Sequence, residues 1–260
     1  REYLEVGQKY QLPMFALTDT WRANQERIRQ SDYRDSKVNQ DNARFITEIR
    51  ASYGTGASPI FIGGLTGPRG DAYTPEEALP TLEAESFHMP QMEALAEGQV
   101  DFLYAATLPA LSEAQGIAKA MAKQGLPYML SFVIRKDGTL LDGTSLARAI
   151  DTIDQNISKP PTGYAVNCVY PTVFNDGLAA LENQSPGFSK RIVSFQANTS
   201  AKDPKDLDGS QELITEKPEI LADLMLQAHQ RFHVPFFGGC CGTDTSHIEY
   251  LARTYKETMN

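Results

Sequence analysis

Two adjacent thiols sit in a glycine bend, Gly238-Gly239-Cys240-Cys241-Gly242, directly after the apolar run Val234-Pro235-Phe236-Phe237. The third cysteine, Cys168, lies in Val166-Asn167-Cys168-Val169-Tyr170-Pro171, again where a strand-like run ends. If both runs finish on one face of a fold, three thiolates meet. That set suits a soft divalent ion such as zinc, with a fourth position open to substrate. A Cys240–Cys241 disulfide is disfavoured, because neighbouring Cα atoms stand ~3.8 Å apart, short of the usual ~4.4–6.8 Å. A closed zinc finger lacks its C-x2-C pair and nearby histidine pair. Inert buried thiols are the competing reading, since free cysteine packs as a small apolar residue. Two of them between glycines at a strand end make poor core filler, and a catalytic metal site is the better account.

Such a site needs elements that bring strand ends together. Short apolar runs at Met14–Thr18, Pro59–Gly63, Asp101–Ala105, Tyr128–Val133, Tyr164–Asn167, Ile192–Ala197 and Val234–Phe237 read as strands. Helical patterns separate them. Thr74-Pro75-Glu76-Glu77 has the form of a helix cap, and Ser246-x-x-Glu249 opens a last helix with Ile248, Leu251, Ala252 and Tyr255 on one face. Leu111, Ala114, Ile117, Ala118 and Met121 repeat at helical spacing, as do Leu146, Ile150 and Ile153. Alternation of this kind predicts an α/β fold with parallel strands and crossover helices. No G-x-G-x-x-G follows the first strand, so a dinucleotide-binding open sheet has little support. Polar or glycine-rich residues follow nearly every strand, as expected of a (β/α)8 TIM barrel with its site at the strand C-termini. Seven strands are countable where a barrel has eight. The chain starts at Arg1 without an initiator methionine or signal-peptide pattern, so the missing strand is expected before residue 1. Residues 1–260 read as one barrel domain, N-terminally incomplete.

At 260 residues with 41% apolar content the chain can fill a large core, and no apolar run is long enough to span a bilayer. A formal charge of −9 argues against nucleic acid as a partner. Three cysteines, two of them adjacent, read as a reducing and hence cytoplasmic setting. The segment Gln30–Gln40 reads as a solvated loop, and Thr199–Lys217 as a loop over the site.

Taken in order, these segments resemble the homocysteine S-methyltransferase family over nearly the whole chain. Val166-Asn167-Cys168 and Gly238-Gly239-Cys240-Cys241-Gly242-Thr243 match the family's metal ligands, cysteine for cysteine. Phe15-Ala16-Leu17-Thr18-Asp19-Thr20-Trp21-Arg22-Ala23-Asn24, Gly63-Gly64-Leu65-Thr66-Gly67-Pro68 and Asp142-Gly143-Thr144 are similar to its second-strand, third-strand and post-fifth-strand motifs. The resemblance implies a TIM barrel, a Zn2+ cofactor held by Cys168, Cys240 and Cys241, and substrate contacts from Asp19, Thr20, Ala106, Thr107 and Asn198. It implies methyl transfer from a small donor such as S-methylmethionine to the thiol of homocysteine, yielding methionine. Two departures stand out. The family's first-strand Asp-Gly-x-x-Gly-Thr motif is absent, and Ala106 occupies the place of a glutamate that helps hold the substrate amino acid. Asp19, where asparagine is usual, could supply the lost charge.

Ala106 motivates two further readings: another thiol or selenol acceptor, or a zinc-binding barrel that has lost catalysis. The displacement needs in-line positioning more than acid–base help, and the sequence offers no obvious histidine–acid set. His229 and His233 precede the last strand, at the end opposite the cysteines, and read as surface or capping residues. His247 is expected at the pocket or in the first turn of the last helix, and His88 receives no role. Asn167 is expected to point away from the metal and to bond across the barrel top. Asn198 either lines the pocket or stabilises a turn. Trp21 and Tyr170 are expected in loop packing, with cation–π contact to a sulfonium donor as the alternative.

Overall fold

Each apolar run pairs with the next in the chain, and the helix between them packs the outer face. In the computed structural model, which describes residues 1–202 and 215–259, the elements are as follows. α1 (Glu2–Lys9), β1 (Met14–Leu17), α2 (Gln25–Arg29), α3 (Val38–Ala51), β2 (Ile60–Thr66), α4 (Thr81–Glu97) and β3 (Phe102–Leu108) form the first half. α5 (Leu111–Ala122), β4 (Tyr128–Phe132), α6 (Leu146–Asn156), β5 (Gly163–Val169), α7 (Pro171–Glu182), β6 (Ile192–Ala197), α8 (Pro218–Phe232), β7 (Phe236–Gly239) and α9 (Thr245–Met259) form the second. All seven strands are parallel, in the sheet order β1-β2-β3-β4-β5-β6-β7. A doubly wound sheet would reverse direction partway. Sequential order is that of a TIM-like barrel, here with seven of its eight strands among the described residues.

The sheet curls so that side chains of its two edge strands touch, although the strands themselves do not pair. Phe15 on β1 stacks on Phe236 on β7, with ring centroids 4.5 Å apart. Outside, Lys9 of α1 pairs with Glu249 of α9, and Thr245 Oγ1 donates to Glu2 Oε2 at 3.1 Å. Two apolar layers hold the curl. The larger lies between strands and helices and includes Ile62, Leu103, Leu130, Val166 and Phe195 against Ile117, Ile150, Phe174 and Met225. The smaller is inside the curl, where Phe102, Tyr104, Ala106, Met129 and Ala165 pack with Phe15, Leu17 and Leu65.

Several strands run further toward their C-termini than apolar content predicts: β2 to Thr66, β3 to Leu108, β5 to Val169 and β7 to Gly239. Polar residues there still pair in the sheet because buried neighbours satisfy their side chains. Thr66 Oγ1, for example, donates to Gln91 Oε1 at 2.9 Å.

Two expected caps differ. Thr74-Pro75-Glu76-Glu77 forms only a 3-10 turn over Pro75–Glu77, and α4 starts after Pro80. Pro80 keeps Leu79 out of helical backbone, and the Glu77 carboxylate accepts from the Asp71 amide instead, at 2.8 Å. Asp244, not Ser246, caps α9: its Oδ1 accepts from the Ser246 and His247 amides at 2.9 and 3.3 Å. Bonds from the Ser246 hydroxyl and from His247 hold the Asp244 carboxyl below the usual carboxylate range. A depressed folded value means this contribution is complete above the unfolded value near ~3.9 and disappears as pH falls through the lower folded value. Asp244→Ala is therefore expected to cost about 1 kcal/mol at neutral pH. Urea melts of both proteins across pH should show that gap closing in acid.

Of the region 30–40, residues 38–40 already belong to α3. Most of the predicted loop over 199–217 lies outside the described residues. Among the described residues no helix is long and apolar enough to cross a membrane.

Candidate metal centre

Cys168 arrives from β5 on a distorted backbone. The β5–β6 register shifts between Asn167 and Val169, and Cys168 takes a left-handed φ of 58°. Such an irregularity re-aims a side chain at a strand end, at a cost of ~1–2 kcal/mol for a residue with a Cβ. Thr107 on β3 does the same, with φ 62° and a register shift between Ala105 and Leu108. Asn167 locks both distortions. Its Oδ1 accepts from the Thr107 amide at 2.8 Å and from Ser131 Oγ at 2.6 Å, while its Nδ2 donates to Thr107 Oγ1 at 2.8 Å. One buried amide thus ties β3, β4 and β5 together at the top of the curl, the bond across the barrel top expected of it.

Cys240 and Cys241 arrive from β7. The Cys240 amide donates to Ala197 O at 2.7 Å, extending the β6–β7 pairing, and the Thr199 amide donates to Cys241 O at 3.1 Å. The turn then folds back so closely that a Cβ on Gly239 would stand 2.1 Å from Thr243 Oγ1, and Gly242 takes φ +81°. This is why the two thiols need glycines on both sides.

The three sulfurs converge. All three Sγ atoms lie within 4.8 Å of one another, and Cys168 Sγ is 3.4 Å from Cys241 Sγ. Thiolates around a tetrahedral ion at a Zn–S distance of about 2.3 Å stand about 3.8 Å apart, so shifts of a few tenths of an ångström to about 1 Å would bring the three sulfurs onto one such ion. Burial grades across the set: Cys168 is buried, Cys240 intermediate and Cys241 exposed. Cys241 is thus the member of the set that meets solvent. As bare thiols the three are unequal. Hydrogen bonding from Cys168 and Cys240 lowers the Cys241 thiol, whereas its own contacts with Cys168 and Cys241 push Cys240 up.

A fourth group touches the cluster. Tyr73 Oη donates to Cys168 Sγ at 3.0 Å. Burial, with Cys168 beside it, raises the Tyr73 phenol well above its ordinary value. Beside Cys240, a cavity of ≈ 560 Å³ runs down the seam between β1 and β7, with Tyr104, Ser194 and Gln196 among its polar lining. Tyr104 Oη donates to Gln196 Oε1 at 2.9 Å, and burial pushes its phenol up to about 12. Sequence reading missed these four residues. Tyr104 and Gln196 could have been found by counting inward positions two apart along β3 and β6. Tyr73 carries no such signal.

The expected substrate residues are not gathered around that cavity. Asp19 is exposed and lines a separate hollow of ≈ 360 Å³ with Trp21, Arg22 and Tyr33. Thr20 is buried and donates to Leu65 O at 2.6 Å. Ala106 packs in the inner cluster, its carbonyl accepting from Trp21 Nε1 at 3.1 Å, and Thr107 is bonded to Asn167. Asn198 Nδ2 donates to Cys168 O at 3.3 Å while its Oδ1 accepts from the Ser200 amide at 2.9 Å, which is a turn-stabilising role. Trp21 packs on Gly67, and the Arg22 guanidinium covers its ring at 4.3 Å. Tyr170 Oη donates to Glu216 Oε2 at 3.2 Å.

The histidines stand apart from the sulfurs. His229 Nδ1 donates to Val234 O at 2.8 Å, and His233 closes α8 with φ 56°. His247 is buried in the first turn of α9 and donates from Nε2 to Glu216 O at 2.8 Å. His88, given no role from sequence, is fully buried against Glu113, Nε2 to Oε1 2.9 Å. The two residues lie 25 positions apart on α4 and α5, and no sequence spacing links them.

The homocysteine S-methyltransferase family model matches residues 1–255. Homocysteine S-methyltransferase YbgG of Bacillus subtilis (strain 168) is 26% identical over 184 residues, 70% of this chain and 56% of the relative. The chain thus spans little more than half the length of that curated relative. The metallated form of homocysteine methyltransferase MmuM from Escherichia coli superposes with a TM-score of 0.74 at 22% identity, covering 97% of this chain and 82% of that one. Its oxidized form gives 0.73 at 23% identity over the same shares. With the family match running almost end to end and the barrel and cysteine cluster in place, this chain belongs to the homocysteine S-methyltransferase family.

Proposed function

We propose that the chain is a zinc-dependent thiol methyltransferase with homocysteine as acceptor and a small donor such as S-methylmethionine. The observation that carries this reading is the convergence of Cys168, Cys240 and Cys241 from two strand ends, with Cys241 meeting solvent. Zinc bound there supplies a deprotonated, electron-rich acceptor thiolate. The new carbon–sulfur bond forms as the methyl–sulfonium bond breaks, and its electron pair leaves with the donor sulfur as a neutral thioether. No proton need move in that step.

The protein's own residues bind and orient. Asn167 and Tyr73 fix the Cys168 end of the cluster. The hydroxyl of Tyr104 and the amide of Gln196 offer polar contacts in the cavity that reaches Cys240, together with apolar groups such as Phe15, Leu17 and Phe237. Asp19, Thr20, Ala106, Thr107 and Asn198 remain candidates for substrate contact at or just beyond the C-terminal ends of β1, β3 and β6. Three free thiols fit a reducing, cytoplasmic setting, and the domain is proposed to be a single barrel.

One observation favours a second acceptor. Ala106 sits in the apolar inner cluster and brings no carboxylate to the end of β3, so a thiol without an ammonium group would fit there equally well. Methyl transfer from S-methylmethionine to homocysteine and to a thiol lacking the amino group separates the two. Turnover with homocysteine is expected. Turnover only with the other thiol moves the assignment to that acceptor, and no transfer to any thiol by the zinc-loaded protein refutes methyltransferase activity.

A further inference from the structure

We infer that Tyr73 is a positioning residue for Cys168, aiming that sulfur at the point the other two sulfurs share. The inference rests on reading the three cysteines as zinc ligands. Tyr73 stands at the end of a loop, residues 67–73, whose backbone is staked on every side independently of the sulfur. Arg22 Nη1 donates to Pro68 O at 3.5 Å and also to Gly70 O. The Arg69 amide donates to Glu113 Oε1 at 2.8 Å, and the same oxygen meets buried His88. The Asp71 amide donates to Glu77 Oε2 at 2.8 Å, and the Tyr73 amide to Asp71 Oδ1 at 2.6 Å. The phenol therefore reaches Cys168 on a fixed arm.

That arm meets a sulfur that needs holding. Cys168 sits at an irregularity with left-handed backbone, where strand alternation no longer dictates side-chain direction. An O–H donor on one side of Sγ leaves the remaining lone pairs facing Cys240 and Cys241. Hydrogen bonds of this kind orient metal ligands, and their loss typically costs ~10–100-fold in metal affinity. The buried His88–Glu113 pair, which no step of methyl transfer uses, thereby acquires a place: it anchors the loop that carries the phenol.

Tyr73→Phe in the full chain is the test, because it keeps the ring and removes only the donor. Two readouts respond to the bond and not to general packing: zinc affinity by chelator competition, and the sulfur-to-metal charge-transfer band of the Co2+-loaded protein. At an unchanged thermal melt of the metal-free protein, zinc affinity is expected to fall about tenfold. The Co2+ band is expected to move to lower energy, since a thiolate without its hydrogen bond is a better electron donor. Wild type and variant with equal affinities and superposable Co2+ spectra overturn the role of Tyr73 and leave the zinc site standing. A wild type that binds neither metal overturns both.

Discussion

Cys240→Ala and Cys241→Ala are each expected to lower zinc affinity by about two to three powers of ten while the metal-free proteins melt as wild type does. Zinc held by a small cysteine set binds with roughly 10–16 kcal/mol, so each ligand carries about 3–4 kcal/mol, and every ~1.4 kcal/mol is a factor of ten. The folded state should tolerate the change because Cys240 is only partly buried and Cys241 exposed. Comparing metal-free forms matters, since an ion that binds only the native state stabilises it by mass action. Metal analysis after dialysis, with circular dichroism melts, checks both halves. Loss of folded signal along with zinc would make the site structural.

The second large effect falls on Asn167. Asn167→Ala strips the acceptor from the buried Thr107 amide and Ser131 hydroxyl and the donor from Thr107 Oγ1. Two orphaned buried donors at 1–3 kcal/mol each put the expected loss at about 4 kcal/mol, measured by urea denaturation of the metal-free protein. The same variant should bind zinc more weakly, because the distorted ends of β3 and β5 lose the amide that holds them. A loss under about 1 kcal/mol would show that the bulges at Thr107 and Cys168 stand without it.

Much of this architecture can be read from residues. The seven strands were legible because buried parallel strands leave short apolar runs, and helices between them repeat every three to four positions. The cysteine cluster was legible because adjacent cysteines between glycines at a strand end have few uses other than meeting a third at another strand end. What the sequence hides is backbone irregularity. Nothing about Thr107 or Cys168 as residue types announces a left-handed φ, so strand alternation was the only available guide to where their side chains point. Contacts between distant segments are hidden too: Tyr73 meets Cys168 across 95 positions, and His88 meets Glu113 across 25. At both helix starts a local motif lost to its surroundings, Thr74 to the proline at 80 and Ser246 to the carboxylate two residues earlier. Thr20 and Asn198 hydrogen-bond to backbone carbonyls, and Tyr104 and Gln196 line a cavity that reaches Cys240.

The account stands or falls on one ion shared by three sulfurs, and zinc-edge X-ray absorption of the purified chain reads that directly. The expected result is one zinc per chain with three sulfur neighbours at about 2.3 Å, becoming four when homocysteine is added. A shell dominated by nitrogen or oxygen, or a chain that retains no zinc, would contradict it.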